Sequence, residues 1–323
     1  MRAEQRSLFP SGAKTAIAGI AIWLVLLAGM LSGNFRLNIF ELLFLLAPWV
    51  AVPLTLSLVS TTEGSGLSRI CSAIVRSLIF PGAALVTASF FLSQGWPAGL
   101  LVCLWLLVAA ALALDGLDRL IGTRLKSFPE FCFAIGEGYA LVGALWLLAS
   151  RLGLQPVSFR EPIVLLTAVH FHYAGLMAAI LAGLVASRLG ATRTLLPLRA
   201  ALSCAVLGPG LLGLAFLAGP KLKLAAVGLM VIGECGIALG TFRIGLNAAQ
   251  SVGGRFLLVG SACVICGMAL AGIWAVGEYP LHAFVNLEQM ARYHGILNSL
   301  GFGLCSLVGW TLLRRSSPAP QEA

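Results

Sequence analysis

Charge is what this sequence has least of. Of its 323 residues, 21 are Lys or Arg and 12 are Asp or Glu, while 59% are hydrophobic and the mean hydropathy is +0.97. Such a composition lies far outside the soluble range and excludes both a soluble globular fold and a disordered, solvated chain. The links between apolar runs are short, leaving no room among them for a soluble domain. No aspartate-rich diphosphate motif is present. No second Cys-X-X-Cys pair accompanies Cys263-Val-Ile-Cys266, so a four-cysteine metal site lacks half its ligands. The sequence also lacks a long internal repeat, which weighs against the commonest transporter folds. Low complexity is confined to the polar stretch 316–323, where disorder is expected.

What is present is a series of lipid-length apolar segments. A spanning helix needs about 20 mostly apolar residues. Ten segments qualify, at 16–31, 39–59, 71–92, 98–114, 131–149, 162–186, 197–218, 224–244, 256–276 and 291–313. The expectation is an all-α polytopic membrane bundle, with tails over 1–13 and 314–323 and one membrane domain over 14–313. The first segment lacks a small-residue cleavage site and reads as a span rather than a signal peptide.

Ten spans put both termini on one side. That side collects 14 of the 21 Lys and Arg residues and the other side 6, with Arg76 inside a span. Basic loops face the cytoplasm, so both termini are expected there. The net charge of +9 calls for no nucleic acid, because basic loops beside anionic lipid account for it.

All eight cysteines lie in or at the ends of apolar spans and read as small packing residues. The 37 glycines recur three or four apart and permit close helix approach. Pro48 and Pro53 in the second span, Pro81 in the third and Pro209 in the seventh are expected to bend their helices.

Polar residues inside the spans are the functional candidates, since ionisable groups at membrane depth are costly and usually face a bundle interior. Val169-His170-Phe171-His172-Tyr173 holds two of four histidines and one of four tyrosines. With the proposed orientation this cluster lies near mid-membrane, toward the outer face. His294 lies near the outer boundary, with Asn298 one turn deeper on the same face. Glu41 opens the second span from that side, and the ninth-to-tenth loop adds Glu278, His282 and Glu288. Residues two apart on a helix diverge by about 200°, so His170 and His172 face different neighbours. A metal or haem could be held by one of them together with His294, but no third deep histidine completes a three-His site. Glu137 and Glu234 are also deep, suited to a general acid, a proton relay or a structural hydrogen bond, with Arg76 and Arg243 as candidate partners.

Glu41 with Ala47-Pro48 and Val52-Pro53-Leu54, then Val169-His-Phe-His-Tyr-Ala-Gly175, then His294-Gly-Ile-Leu-Asn298-Ser-Leu-Gly-Phe302 together resemble the YndJ-like family of bacterial membrane proteins. The resemblance covers most of the chain and implies a multi-pass protein of the bacterial inner membrane, with Glu41, His170, His172, Tyr173, His294 and Asn298 as motif residues. A narrower similarity links His-Phe-His-Tyr to the haem-bearing helix of haem-copper oxidase catalytic subunits. The copper elements of that family are missing, so this similarity implies at most a single b-type haem between a sixth-span histidine and His294.

Three classes follow. An enzyme would use Glu41 or a histidine as acid or base on a lipid-soluble, isoprenoid- or polyketide-like substrate, as a cyclase or isomerase. Small polytopic terpene cyclases are similar in size and in their use of buried carboxylates. A redox protein would carry haem or metal, although the residues themselves name no cofactor. A transporter would pass substrate or protons along Glu41, Glu137 and Glu234. The polar groups gather at one depth near one face, which favours the enzyme, with Glu41, His170, His172, Tyr173, His294 and Asn298 as its catalytic set.

Overall fold

The computed structural model describes residues 8–9, 11–59, 66–190, 196–278 and 286–316. Among the described residues, ten helices are long and apolar enough to cross a membrane: α1 (Gly12–Leu31), α2 (Ile39–Leu58), α3 (Gly66–Ser89), α4 (Trp96–Thr123), α5 (Phe128–Leu152), α6 (Ile163–Leu189), α7 (Leu196–Ala218), α8 (Lys221–Asn247), α9 (Val252–Gly277) and α10 (Leu287–Arg315). The chain is therefore an all-α, multi-pass membrane bundle. Below, the end at which the even-numbered helices begin is the upper end and the other the lower.

Helix ends follow local chemistry. Asn38 caps α2 and, with Glu41, forms a capping box. Asn286 and Gln289 do the same for α10. Ser127 caps α5 ahead of Pro129, and Gly153 ends that helix with a φ of 73°, a conformation open to glycine at little cost. The helix limits lie within five residues of the sequence expectation except at one end. Helix α4 continues past residue 114 to Thr123, because Asp115 and Arg119 are paired inside the bundle instead of entering a loop. At the C-terminal side, Arg314 and Arg315 still belong to the last helix, and Arg314 donates to the Ser57 carbonyl. In the N-terminal segment, Leu8 and Phe9 are buried. Residues 317–323, where disorder is expected, lie outside the described residues.

Sequential neighbours pack antiparallel through α3–α4–α5–α6 and again through α7–α8–α9–α10. Between these two meanders stands α2, against α1, α3, α6 and α10. Its apolar window is 89% buried and that of α6 67%, whereas the other eight range from 28% to 50%. The interior of this protein is therefore built on α2 and α6, and the remaining helices present more of their surface to lipid.

Helices α2, α6 and α10 depart from α geometry at mid-length. Each carries a π-helical segment, at Ala47–Ala51, Phe171–Met177 and Leu297–Leu304, and the three segments pack against one another at the centre of the bundle. Such wide turns are rare, and they occur frequently at functional sites. In α2 the cause is Pro48, which has no N–H to donate. The eight cysteines are unpaired. Cys263 packs where a Cβ on Gly301 would sit, while Cys266 faces outward.

Candidate functional site

Widening a helical turn shifts the hydrogen-bond register, so carbonyls just before it are open to other donors. In this protein side chains donate to them, alone at Leu43 and beside a backbone N–H at Ala168 and His294. The Ala47 N–H bonds to the Phe44 carbonyl, Pro48 offers nothing, and the Leu43 carbonyl accepts from the Tyr173 hydroxyl across the α2–α6 contact at 3.0 Å. In α6 the Ala168 carbonyl accepts from Nδ1 of His172 at 2.8 Å. In α10 the His294 carbonyl accepts from Nδ2 of Asn298 at 2.9 Å and the Gly295 carbonyl from Oγ of Ser299 at 2.6 Å. Tyr173, His172 and Asn298 thus hold the three π segments in place.

His172 is fully engaged. A carbonyl only accepts and an indole N–H only donates, so Nδ1 carries the proton toward Ala168 and Nε2 accepts from Nε1 of Trp105 at 3.1 Å. The ring stacks on Trp105 and meets Phe44 edge-on. Neither nitrogen is free for a metal. Gly143 leaves room for this ring, since a Cβ there would lie 2.6 Å from Nδ1. Sequence reasoning did not find Trp105, which is marked by no motif within its apolar run.

His170 turns away from His172, toward α10. It makes no hydrogen bond among the described residues, its Nε2 is buried without a partner, and it lies within electrostatic reach of His294. Nδ1 of His294 lies 2.9 Å from the Gly267 carbonyl and 3.1 Å from Nδ2 of Asn298, donating to the first in one tautomer and accepting from the second in the other. Oδ1 of Asn298 is buried without a partner. Two buried polar atoms without partners, Nε2 of His170 and Oδ1 of Asn298, therefore belong to the α6 and α10 π junction. Buried polar groups without partners are rare and call for an explanation.

Glu41 stands elsewhere. Its Oε2 accepts from the Asn38 N–H at 2.8 Å, and it lines a cleft at the upper end with Arg151 and Glu161 instead of joining the imidazoles. Glu137 pairs with Arg119, not with Arg76 or Arg243. Arg119 is 1% exposed and bridges Asp115, Glu130 and Glu137, a network that ties α4 to α5 near the lower end. The sequence reading placed Arg119 in a loop because the apolar run stops before Asp115. Oε2 of Glu234 is buried in α8 without a partner among the described residues. Glu288 is exposed in the first turn of α10. His282 lies outside the described residues. No group of three or more metal-ligating side chains occurs among the described residues.

Residues 42–302 match the family model of YndJ-like proteins. That segment contains His170, His172, Tyr173, His294 and Asn298, and begins one residue after Glu41. The uncharacterised membrane protein YndJ of Bacillus subtilis (strain 168) is 28% identical over 210 residues, covering 65% of this chain and 38% of that relative. The matched region thus spans well under half of the relative's length. No solved structure matches the chain.

Proposed function

The chain belongs to the YndJ-like protein family, and on that premise we propose that it is an intramembrane enzyme performing acid–base chemistry at the π junction of α6 and α10. Its substrate is a lipid-soluble molecule of isoprenoid or polyketide type, and its reaction an isomerisation or cyclisation. Such a reaction takes a proton from one carbon and returns one to another, with no net change of mass. Two imidazoles suffice for this, one as base and one as acid.

The single observation that carries this reading is the buried Nε2 of His170, which has no partner among the described residues and lies within electrostatic range of His294. In the tautomer that donates from Nδ1 to the Gly267 carbonyl, Nε2 of His294 is the proton-accepting nitrogen that a general base requires. Asn298 donates to the His294 carbonyl, and its Oδ1 is buried without a partner among the described residues. His172 and Tyr173 act through position, by setting the wide turn that aims His170. Glu41 belongs to the entrance at the upper end. The reading also places the protein in the inner membrane with both termini cytoplasmic, following the basic-residue asymmetry.

The test is the visible spectrum of the purified protein, oxidised and reduced. The acid–base reading predicts no Soret band. A Soret band that disappears in His170→Ala or His294→Ala would replace this reading with that of a haem protein.

A further inference from the structure

We infer that the cleft at the upper end binds the zwitterionic headgroup of a phospholipid of the phosphoethanolamine type. This inference concerns a second site and does not depend on the acid–base reading. The cleft lies where α2 begins, α5 ends and α6 begins, and Asn38, Glu41, Gln94, Ser150, Arg151 and Glu161 supply its polar lining. Being at the boundary of the apolar segments, it sits at the depth of lipid headgroups.

Arg151 is the decisive residue. It is 5% exposed, and its position is fixed by donation to the Ser89 carbonyl at 3.0 Å and the Leu92 carbonyl at 2.8 Å, with Phe90 under the guanidinium at 4.8 Å. Its Nε has no partner. Glu41 and Glu161 both act on it electrostatically, yet among the described residues its hydrogen bonds go to carbonyls and no carboxylate pairs with it directly. Glu161 is held in place by Ser150, by Gln94 at 3.4 Å and by the Leu165 N–H at 3.2 Å. The cleft therefore presents one fixed cation between two fixed carboxylates.

A simple anion would meet the carboxylates, and a simple cation would meet a buried guanidinium. A ligand with both signs a few bonds apart satisfies all three groups. Phosphate suits the guanidinium, and a primary ammonium supplies N–H donors to Glu41 and Glu161 that a quaternary ammonium lacks. Phe40, Pro162 and Leu165 give the cleft an apolar side, on which the glycerol end of a lipid can lie.

The experiment is native mass spectrometry of the full chain in detergent, supplied with an equimolar mixture of phosphatidylethanolamine, phosphatidylcholine and phosphatidylglycerol. Preferential retention of phosphatidylethanolamine is expected. Glu161→Gln and Arg151→Gln are each expected to reduce the preference by about tenfold, the scale of one lost charge-assisted hydrogen bond. Glu161 is exposed, so Glu161→Gln keeps the test valid should Arg151→Gln fail to fold. Equal retention of the three lipids, preference for phosphatidylglycerol, or an unchanged preference in Glu161→Gln overturns the proposal. Displacement of bound lipid by soluble phosphoethanolamine at equal concentration would also overturn it, by assigning the site to a free headgroup.

Discussion

The hydroxyl of Tyr173 in α6 donates to the carbonyl of Leu43 in α2 at 3.0 Å, at the place where Pro48 and the redirected Ala47 N–H leave that carbonyl without a backbone donor. One hydrogen bond therefore joins the two most buried helices and completes the wide turn in α2. Tyr173→Phe keeps the ring and removes the donor. It is expected to destabilise the protein by about 1–3 kcal/mol, the cost of a buried acceptor left unsatisfied, measured as a lower unfolding midpoint in detergent. An unchanged midpoint would show that the Leu43 carbonyl finds another donor.

The two histidines of the sixth span separate stability from chemistry. His172→Ala removes two hydrogen bonds and leaves a cavity against Trp105 and Phe44, a loss expected to cost about 2–5 kcal/mol. His170→Ala removes a side chain that forms no hydrogen bond and is expected to cost less. Comparing the two unfolding midpoints tests the division of roles, and equal losses would contradict it.

Gly143→Ala probes the same ring from α5. Its Cβ would stand 2.6 Å from Nδ1 of His172, so overpacking of about 1–3 kcal/mol is expected. In this background, the additional loss on Trp105→Phe should be smaller than in the parent protein, because both changes disturb one contact.

Removal of the Arg119 guanidinium leaves Asp115 and Glu137 without their cation. Arg119→Ala is expected to cost about 3–5 kcal/mol and to appear as loss of folded protein after extraction. Adding Glu137→Gln should restore part of the yield.

Much of the fold was legible in the sequence, because lipid imposes its length on every span and the ten apolar runs announce themselves. Limits were misjudged where charge is neutralised internally. The run that breaks at Asp115 continues as helix, since Arg119 and its carboxylates cancel within the bundle. At the candidate site, the opposite aims of His170 and His172 follow from helix geometry, and the shared face of His294 and Asn298 from their spacing. The wide turns were not legible beyond Pro48, because nothing in Phe171–Met177 or Leu297–Leu304 removes a backbone donor. Their side-chain donors acquire meaning only when the partner carbonyl is seen. Glu41 illustrates the same limit, since Asn-X-X-Glu at a helix start is also a capping box, and its Arg151 and Glu161 neighbours come from other helices.

The most direct test of the central claim is profiling of lipid extracts from cells that express the protein, His170→Ala or neither, with equal membrane levels of both proteins. The account predicts a lipid-soluble species in the parent strain that has the mass of an existing lipid but a different retention time, and that is missing in His170→Ala and in the empty strain. Its formation at full level with His170→Ala would contradict the account, as would identical profiles in all three.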